Sequence, residues 1–171
     1  TKYHSTGGYQ PVERFPYQDS TVKSLYEAFI EMGNPPIDIN GAKSTGVMIA
    51  QTTSKDGKRA STNKAFLEPV RYQRRNLKVA TNVRVTKVLI DTETKVAYGV
   101  EYALENRRHV IGTVYATKEV ILSAGAIKSP QLLMHSGIGA TDMLEPLNIP
   151  VLSDHPVGQN LQQHSGSFFA S

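Results

Sequence analysis

One short segment of the sequence has the residue types that a phosphate-binding turn requires. Residues 119–125 include three adjacent apolar side chains followed by small ones, a run that is typical of a strand covered on both faces. Ser129 is then a candidate N-cap, and Pro130 fits the first position of a helix. A strand, a small-residue turn and a helix N-terminus bring backbone N–H groups and the positive end of the helix dipole to one point, where phosphate binds well. Because many strand-to-helix turns bind nothing, this spacing alone does not identify a ligand.

Histidine, cysteine and serine add no catalytic or metal-binding pattern. The acidic residues are scattered, and neither an H-x-x-x-H nor an H-E-x-x-H pair occurs. The sequence has no cysteine and no G-x-S-x-G elbow, which excludes a disulfide framework, a thiolate nucleophile and a common hydrolase motif. We therefore predict neither a catalytic residue nor a metal ligand in this chain. We expect structural or surface roles for the five histidines, His4, His109, His135, His155 and His164.

The composition describes an ordinary globular chain with a mild positive charge. Apolar residues make up 39% of the 171 residues, and no run approaches the roughly 18 apolar residues of a membrane span. The 19 Lys and Arg residues against 15 Asp and Glu residues give a net charge of +4. The densest basic cluster lies between Arg71 and Lys78, and elsewhere acidic residues are spread among the basic ones. We expect a mixed solvated surface, with neither a nucleic-acid nor a membrane partner.

Hydrophobic periodicity predicts one amphipathic helix in the first third of the chain. Apolar residues between Val22 and Ile30 recur at helical spacing, and Ser20 is a plausible N-cap. Gly33 sits where a left-handed C-terminal cap is needed. We expect the apolar stripe of this helix to pack in a core.

Short elements follow this helix. Residues 47–51 form an apolar run that predicts a strand, and residues 54–58 contain an Asp-Gly pair that predicts a turn. Ser61 is a candidate N-cap for a short helix that ends at Pro69.

The most regular part of the sequence predicts three consecutive strands. The first is an extended stretch over residues 77–90, with a break in register near Thr86 and Lys87. The second covers residues 96–104 and the third residues 110–116, and polar turns separate them. Short strands joined by short polar turns are typical of an antiparallel meander.

Residues 125–139, GAIKSPQLLMHSGIG, carry a specific resemblance. A small residue follows the first glycine, Ser-Pro opens the helix, two aliphatic residues follow, and Ser-Gly-Ile-Gly closes the segment. This pattern resembles the second signature of the glucose–methanol–choline (GMC) oxidoreductases. The flanking segments KEVILSAG and LNIPVLSDHPVGQNLQQH are similar to the same family, as are NLKVATNVRVTKVLI and AYGVEY of the meander. The opening YHSTGGYQPVERFPYQDS is similar to the insect glucose-dehydrogenase branch.

The resemblance implies an FAD enzyme that takes a hydride from the CH–OH group of a sugar or another alcohol and passes the electrons to an acceptor. It implies a mixed α/β fold: part of an FAD-binding Rossmann-like domain with the antiparallel meander, and parts of a sheet-based substrate domain. On this basis residues 1–50 belong to the substrate domain, and residues 51–147 to the middle part of the FAD-binding domain. Residues 148–171 begin the next substrate-domain segment.

Four residues match cofactor-contacting positions of the family. Val85 matches a meander position whose main chain contacts the adenine ring, and a strand N–H and C=O can pair with an adenine edge whatever the side chain. Ser123, Ala124 and Gly125 match small residues at the strand end near the cofactor, where missing bulk permits close approach. The resemblance therefore implies FAD contacts from these four residues.

Several family elements are missing from the sequence. The first dinucleotide motif, G-x-G-x-x-G, does not occur, and neither does the family's C-terminal pair, a His with a His or an Asn, that acts on the alcohol. Gln163 replaces the acidic residue of the family's NLQDH segment. We therefore expect an internal fragment of a longer enzyme, which by itself binds FAD weakly or not at all and has no turnover. The resemblance to the insect branch suggests an extracellular enzyme, and the sequence leaves substrate and acceptor open.

Two alternatives stay open from the residues alone. One alternative is a non-catalytic binding or interaction module. Two features favour it: the basic run from Arg71 to Arg75 and the absence of a complete active site from the sequence. Salt-dependent retention on heparin that is lost when these arginines are changed would favour this module. A lyase on the same scaffold is the other alternative, since the residues that distinguish the chemistries lie outside this sequence.

Overall fold

Residues 2–105 and 107–163 are described by the computed structural model. Their contacts divide the chain into two units, Thr1–Val79 and Ala80–Ser171. The elements have a mixed α/β composition, as the sequence predicted. Within the described residues, no helix is long and apolar enough to cross a membrane.

The first unit contains helix α1, Ser20–Glu31. The predicted N-cap was one residue too late: Asp19 caps the helix, and its Oδ1 accepts the N–H of Thr21 at 2.8 Å. A carboxylate at this position also interacts favourably with the helix dipole. The predicted C-terminal glycine is confirmed, because Gly33 has a φ of 89°.

The apolar stripe of α1 is not packed in a core. Val22, Leu25 and Phe29 are exposed, and the helix has no buried residue. The expectation of core packing was therefore wrong for this chain, because no described element covers the stripe.

Short strands make up the rest of the regular structure in this unit. Strand β1, Glu13–Arg14, pairs antiparallel with β2, Gln51–Thr52. Strands β3, Ser54–Lys55, and β4, Lys58–Arg59, form a hairpin. Asp56 and Gly57, between them, have φ values of 52° and 71°, as a type I′ turn requires. This confirms the predicted Asp-Gly turn.

The predicted helix before Pro69 is a single π-helical turn, Asn63–Leu67. Its N-cap position is occupied by Thr62, which makes no side-chain cap bond. The hydroxyl of Ser61 nevertheless accepts the N–H of Lys64 at 3.4 Å.

The second unit is built on a three-stranded antiparallel sheet, which confirms the predicted meander. Its strands β5, Val83–Ile90, β6, Ala97–Leu104, and β7, Arg107–Tyr115, lie in the order β5-β6-β7. The predicted break in register is a β-bulge, since Val85 pairs with Tyr102 and Lys87 with Glu101. Residues 77–82, by contrast, are not part of the strand, so the first strand is shorter than predicted.

Residues 119–123 do not form a strand, although their sequence predicts one. Ile121 is 76% exposed, whereas the apolar run was expected to be covered on both faces. A strand needs a neighbour to pair with, and none of the described residues pairs with this run.

Helix α2, Gly125–His135, begins five residues earlier than predicted, since Pro130 was expected at its first position. Gly125 has a φ of 87°, a left-handed conformation that turns the chain directly into the helix. Ala124 is therefore at the N-cap, and Pro130 lies inside the helix instead of at its first position. Ser129 is not the N-cap, but its Oγ accepts the N–H of Ala124 at 2.9 Å and so still closes the start of α2.

The end of α2 leads into a closing segment, residues 137–153. Gly137 has a φ of 87°, as predicted for a C-terminal cap, and Ile138 forms a parallel bridge with Ser153. Helix α3, Thr141–Leu144, continues as a 3₁₀ turn, Glu145–Leu147. Among the described residues of the second unit other than glycine, the buried ones lie along β5, β6, α2 and α3, with one after α2: Val88, Ala103, Leu132, Ser136 and Leu144.

Candidate functional site

A cleft lies between the sheet and helix α2 of the second unit. It consists of two adjoining cavities of about 440 and about 500 Å³, which share Val85, Ala124 and Leu132 as lining residues. The first cavity extends along the sheet and residues 119–124. The second lies between β5 and α2. The volume of each cavity is in the range of small-molecule and cofactor sites.

Three of the four residues predicted to contact a cofactor meet at this cleft. Val85, Ser123 and Ala124 line the first cavity, and Val85 and Ala124 also line the second. Gly125 lines neither cavity, but it sets the direction of α2 through its left-handed backbone. Apart from Gly125 itself, its two chain neighbours and the backbone of its own helix turn, no described atom lies within 4 Å of the position that a Cβ on Gly125 would take. Val85 and Ala124 are far apart along the chain, and the fold brings them to the same cleft.

Val85 occupies a position where main-chain groups can meet a ligand. It lies on β5, which is an edge strand of the sheet in the described structure, directly before the bulge. Edge strands present backbone N–H and C=O groups that have no partner in the sheet, and bulges redirect neighbouring residues. The side chain is 39% exposed, so the strand is accessible at this point.

The opposite wall of the cleft begins with small side chains. Ser123 and Ala124 leave open space at the turn into α2, and the hydrogen bond from Ala124 N–H to Ser129 fixes this turn. A ligand can therefore approach the backbone closely here.

The second cavity also has polar residues that the sequence analysis missed. Lys128, Gln131 and His135 line it from α2, and the Nζ of Lys128 donates to Oε1 of Gln131 at 2.8 Å. Their spacing of three and four residues places them on one face of a helix. This signal was hidden because the helix was predicted to start at Pro130, with Ser129 as its N-cap, which excluded Lys128. Arg84 lines the same cavity from β5.

The other histidines lie elsewhere. His4 pairs with Asp38 in the first unit, with Nε2 and Oδ2 2.6 Å apart. The N–H of His155 donates to the carbonyl of Gly139 at 3.3 Å. His164 and the side chain of His109 lie outside the described residues. In the part of the chain that the structure describes, no three His, Asp or Glu side chains form a group that could hold a metal ion.

Comparison with known proteins identifies the family. The profile of GMC oxidoreductases matches residues 8–166, nearly the whole chain. The chain belongs to the GMC oxidoreductase family. It is 43% identical over 169 residues to a glucose dehydrogenase [FAD, quinone] of Drosophila pseudoobscura pseudoobscura, covering 98% of this chain and 27% of that protein. It is 45% identical over 143 residues to the mitochondrial choline dehydrogenase of Homo sapiens, covering 82% and 23%.

Solved structures of two enzymes share the fold of this chain. An FAD-dependent oxidoreductase from Chaetomium thermophilum matches with a TM-score of 0.80 and 29% identity, over 88% of this chain and 26% of that one. Pyridoxine 4-oxidase from Mesorbium loti matches with a TM-score of 0.77 and 29% identity, over 90% and 29%. This chain therefore spans between a fifth and a third of the length of these relatives.

Proposed function

We propose that this chain is a segment of an FAD-dependent oxidoreductase that acts on CH–OH groups of donors. The whole enzyme transfers a hydride from a sugar or another alcohol to FAD and then passes the electrons to an acceptor. Membership in the GMC family supports this proposal, as do similar proteins named as glucose, choline and alcohol dehydrogenases.

The cleft between β5 and α2 is the proposed site for the adenine end of FAD. The observation that carries this assignment is the meeting of Val85, Ser123 and Ala124 around one cavity. The cleft suits a flat aromatic ring, because apolar residues such as Val85 and Leu132 line it and small side chains open its far wall. The edge of β5 adds backbone donors and acceptors for the ring's polar edge.

FAD, when bound, supplies the hydride-accepting chemistry, and the protein supplies position and electrostatics. The proposed role of this chain is to hold one end of the cofactor and to keep water from it. Val85 provides main-chain contacts, and Ser123 and Ala124 allow close approach. Gly125 directs α2 so that its first turns form the other wall.

The finer fold assignment belongs to the same proposal. Residues 51–147 would form the middle of a Rossmann-like FAD-binding domain, with residues 1–50 and 148–171 in the substrate domain. The likeness to an FAD-dependent oxidoreductase of known structure supports the Rossmann-like assignment, and the boundaries follow from the family resemblance alone. The two units of the isolated chain divide it elsewhere, at Val79 and Ala80.

Substitution at the cleft tests the proposed site in the full-length enzyme. Ala124→Leu places a bulky side chain where both cavities meet, so we expect FAD affinity to fall about ten- to a hundredfold. Ala126→Leu is the matched control, because Ala126 is exposed on α2 and lines neither cavity. Titration of the flavin-free proteins with FAD gives both affinities. Equal affinities for the two variants would refute the site.

A further inference from the structure

Ser136 is a buried polar residue at the end of α2, with 1% of its surface exposed. Its hydroxyl donates to the carbonyl of Leu132 at 2.6 Å. The same oxygen accepts the N–H of Val88 at 2.8 Å. The first bond lies within the helix, and the second joins the helix to the sheet.

The bond to Val88 has a specific structural consequence. Val88 lies on β5, three residues after Val85, and is 4% exposed. A buried backbone N–H without a partner is costly, and this one has its partner in Ser136. Ser136 therefore fastens the strand that forms one wall of the cleft to the helix that forms the other.

The end of α2 is also fixed on its other side. Gly137 follows Ser136, and a Cβ at this glycine would lie 2.6 Å from the carbonyl oxygen of Pro150 and 2.9 Å from Leu152. The chain after α2 is thus packed closely against residues 150–152. Residues 150–152 leave the end of α2 no space to move towards them. The hydrogen bond from Val88 to Ser136 on the other side therefore sets how closely β5 approaches α2.

We propose that Ser136 is a positioning residue for the cofactor, which sets the spacing of the cleft between β5 and α2. The inference rests on the proposed function, because it takes this cleft as the FAD site. Without the hydroxyl, β5 loses this hydrogen bond to α2, and the distance of Val85 on one wall from Lys128 and Gln131 on the other is held less tightly.

The test compares variants of the full-length enzyme, and the stability of each variant is measured. Ser136→Ala removes both hydrogen bonds, and Ser136→Cys keeps the shape of the side chain, with a larger atom, but replaces the hydroxyl by a much weaker bonding group. Leu144→Val is the control, since Leu144 is 1% exposed in the same unit and lines neither cavity. We expect the dissociation constant for FAD to rise about tenfold in both Ser136 variants and to stay within about twofold of wild type in Leu144→Val.

Stability is measured beside affinity, so that a general loss of folding is separated from a loss of positioning. All titrations with FAD are made well below the unfolding temperature of each variant. An unchanged FAD affinity in Ser136→Cys, or an equal loss in Leu144→Val at equal loss of stability, would overturn the inference. Ala124→Leu separates this result from the proposed function: if it weakens FAD binding and Ser136→Cys does not, the site stands and the positioning role falls. If Ala124→Leu has no effect, the site itself is wrong.

Discussion

At the scale of single residues, the cleft depends on positions where side chains are small or absent. Ala124 and Ser123 keep one wall open, and Gly125 and Gly137 hold left-handed conformations at the two ends of α2. The two glycines have the same φ of 87° but different surroundings. A Cβ on Gly125 would meet open space, and a Cβ on Gly137 would collide with the carbonyl oxygen of Pro150.

This difference predicts unequal costs for the same substitution. Gly125→Ala should lower the free energy of unfolding by roughly 1–2 kcal/mol, the cost of a left-handed alanine. Gly137→Ala adds a steric collision with backbone, and we expect a loss of roughly 2–5 kcal/mol. Denaturant unfolding of the flavin-free proteins measures both. Similar losses in the two variants would contradict this prediction, because they would show that residues 150–152 shift to make room for the added methyl group.

Single residues were also where the sequence was most and least informative. Val85, Ser123 and Ala124 were identified through the family resemblance, and the structure brings them together at one cleft. Lys128, Gln131 and His135 were missed, because the helical face that carries them is visible only when α2 begins at Gly125. Ser-Pro suggested a later start, since that pair commonly opens helices.

At the scale of elements, the sheet was predictable and the residues before α2 were not. Local alternation and polar turns are sufficient for a meander whose strands pair with their neighbours in sequence, and even the bulge near Thr86 was expected. Residues 119–123 have the composition of a covered strand. A strand forms only beside another strand, however, and no described strand pairs with these residues. The cap of α1 was missed by one residue, because Asp19 and Ser20 are both good N-caps.

The turn between β5 and β6 gives a pH-dependent prediction. The N–H and hydroxyl of Thr94 hydrogen-bond to Asp91 and hold the pKa of its carboxyl below the usual value of 3.8, with a further bond from the N–H of Glu93. A lowered pKa means that the ionised form stabilises the folded turn. This contribution is present above about pH 3.8 and is lost as the pH falls through the lower value in the folded protein.

Asp91→Asn removes the titration but keeps an acceptor oxygen. We expect the unfolding temperature of wild type to fall more than that of Asp91→Asn between about pH 6 and about pH 3. Thermal unfolding at both pH values, in wild type and variant, provides the comparison. An identical fall in the two proteins would contradict a role for the Asp91 charge.

At the scale of the whole molecule, the chain buries few apolar side chains for its size. The buried apolar residues of the described chain are few and half of them are alanines: Ala60, Ala65, Val88, Ala103, Leu132 and Leu144. Leu25 and Phe29 on α1 and Tyr115 on β7 are exposed by about half or more. The relatives are about four times as long, and their additional chain would supply the missing contacts.

The isolated 171-residue chain should therefore not act as an enzyme. We expect it to retain no stoichiometric flavin and to show no turnover with sugar or alcohol donors. The absorption spectrum of the purified chain after incubation with FAD and gel filtration checks this expectation. A flavin spectrum at one FAD per chain would contradict it and would show that the cleft alone holds the cofactor.

The structure of the full-length enzyme with FAD bound tests the central assignment most directly. We predict that the adenine ring lies in the cleft between β5 and α2, within hydrogen-bond distance of the main chain of Val85 and in contact with Ala124. An adenine ring placed elsewhere, with this cleft filled by other parts of the protein, would contradict the assignment.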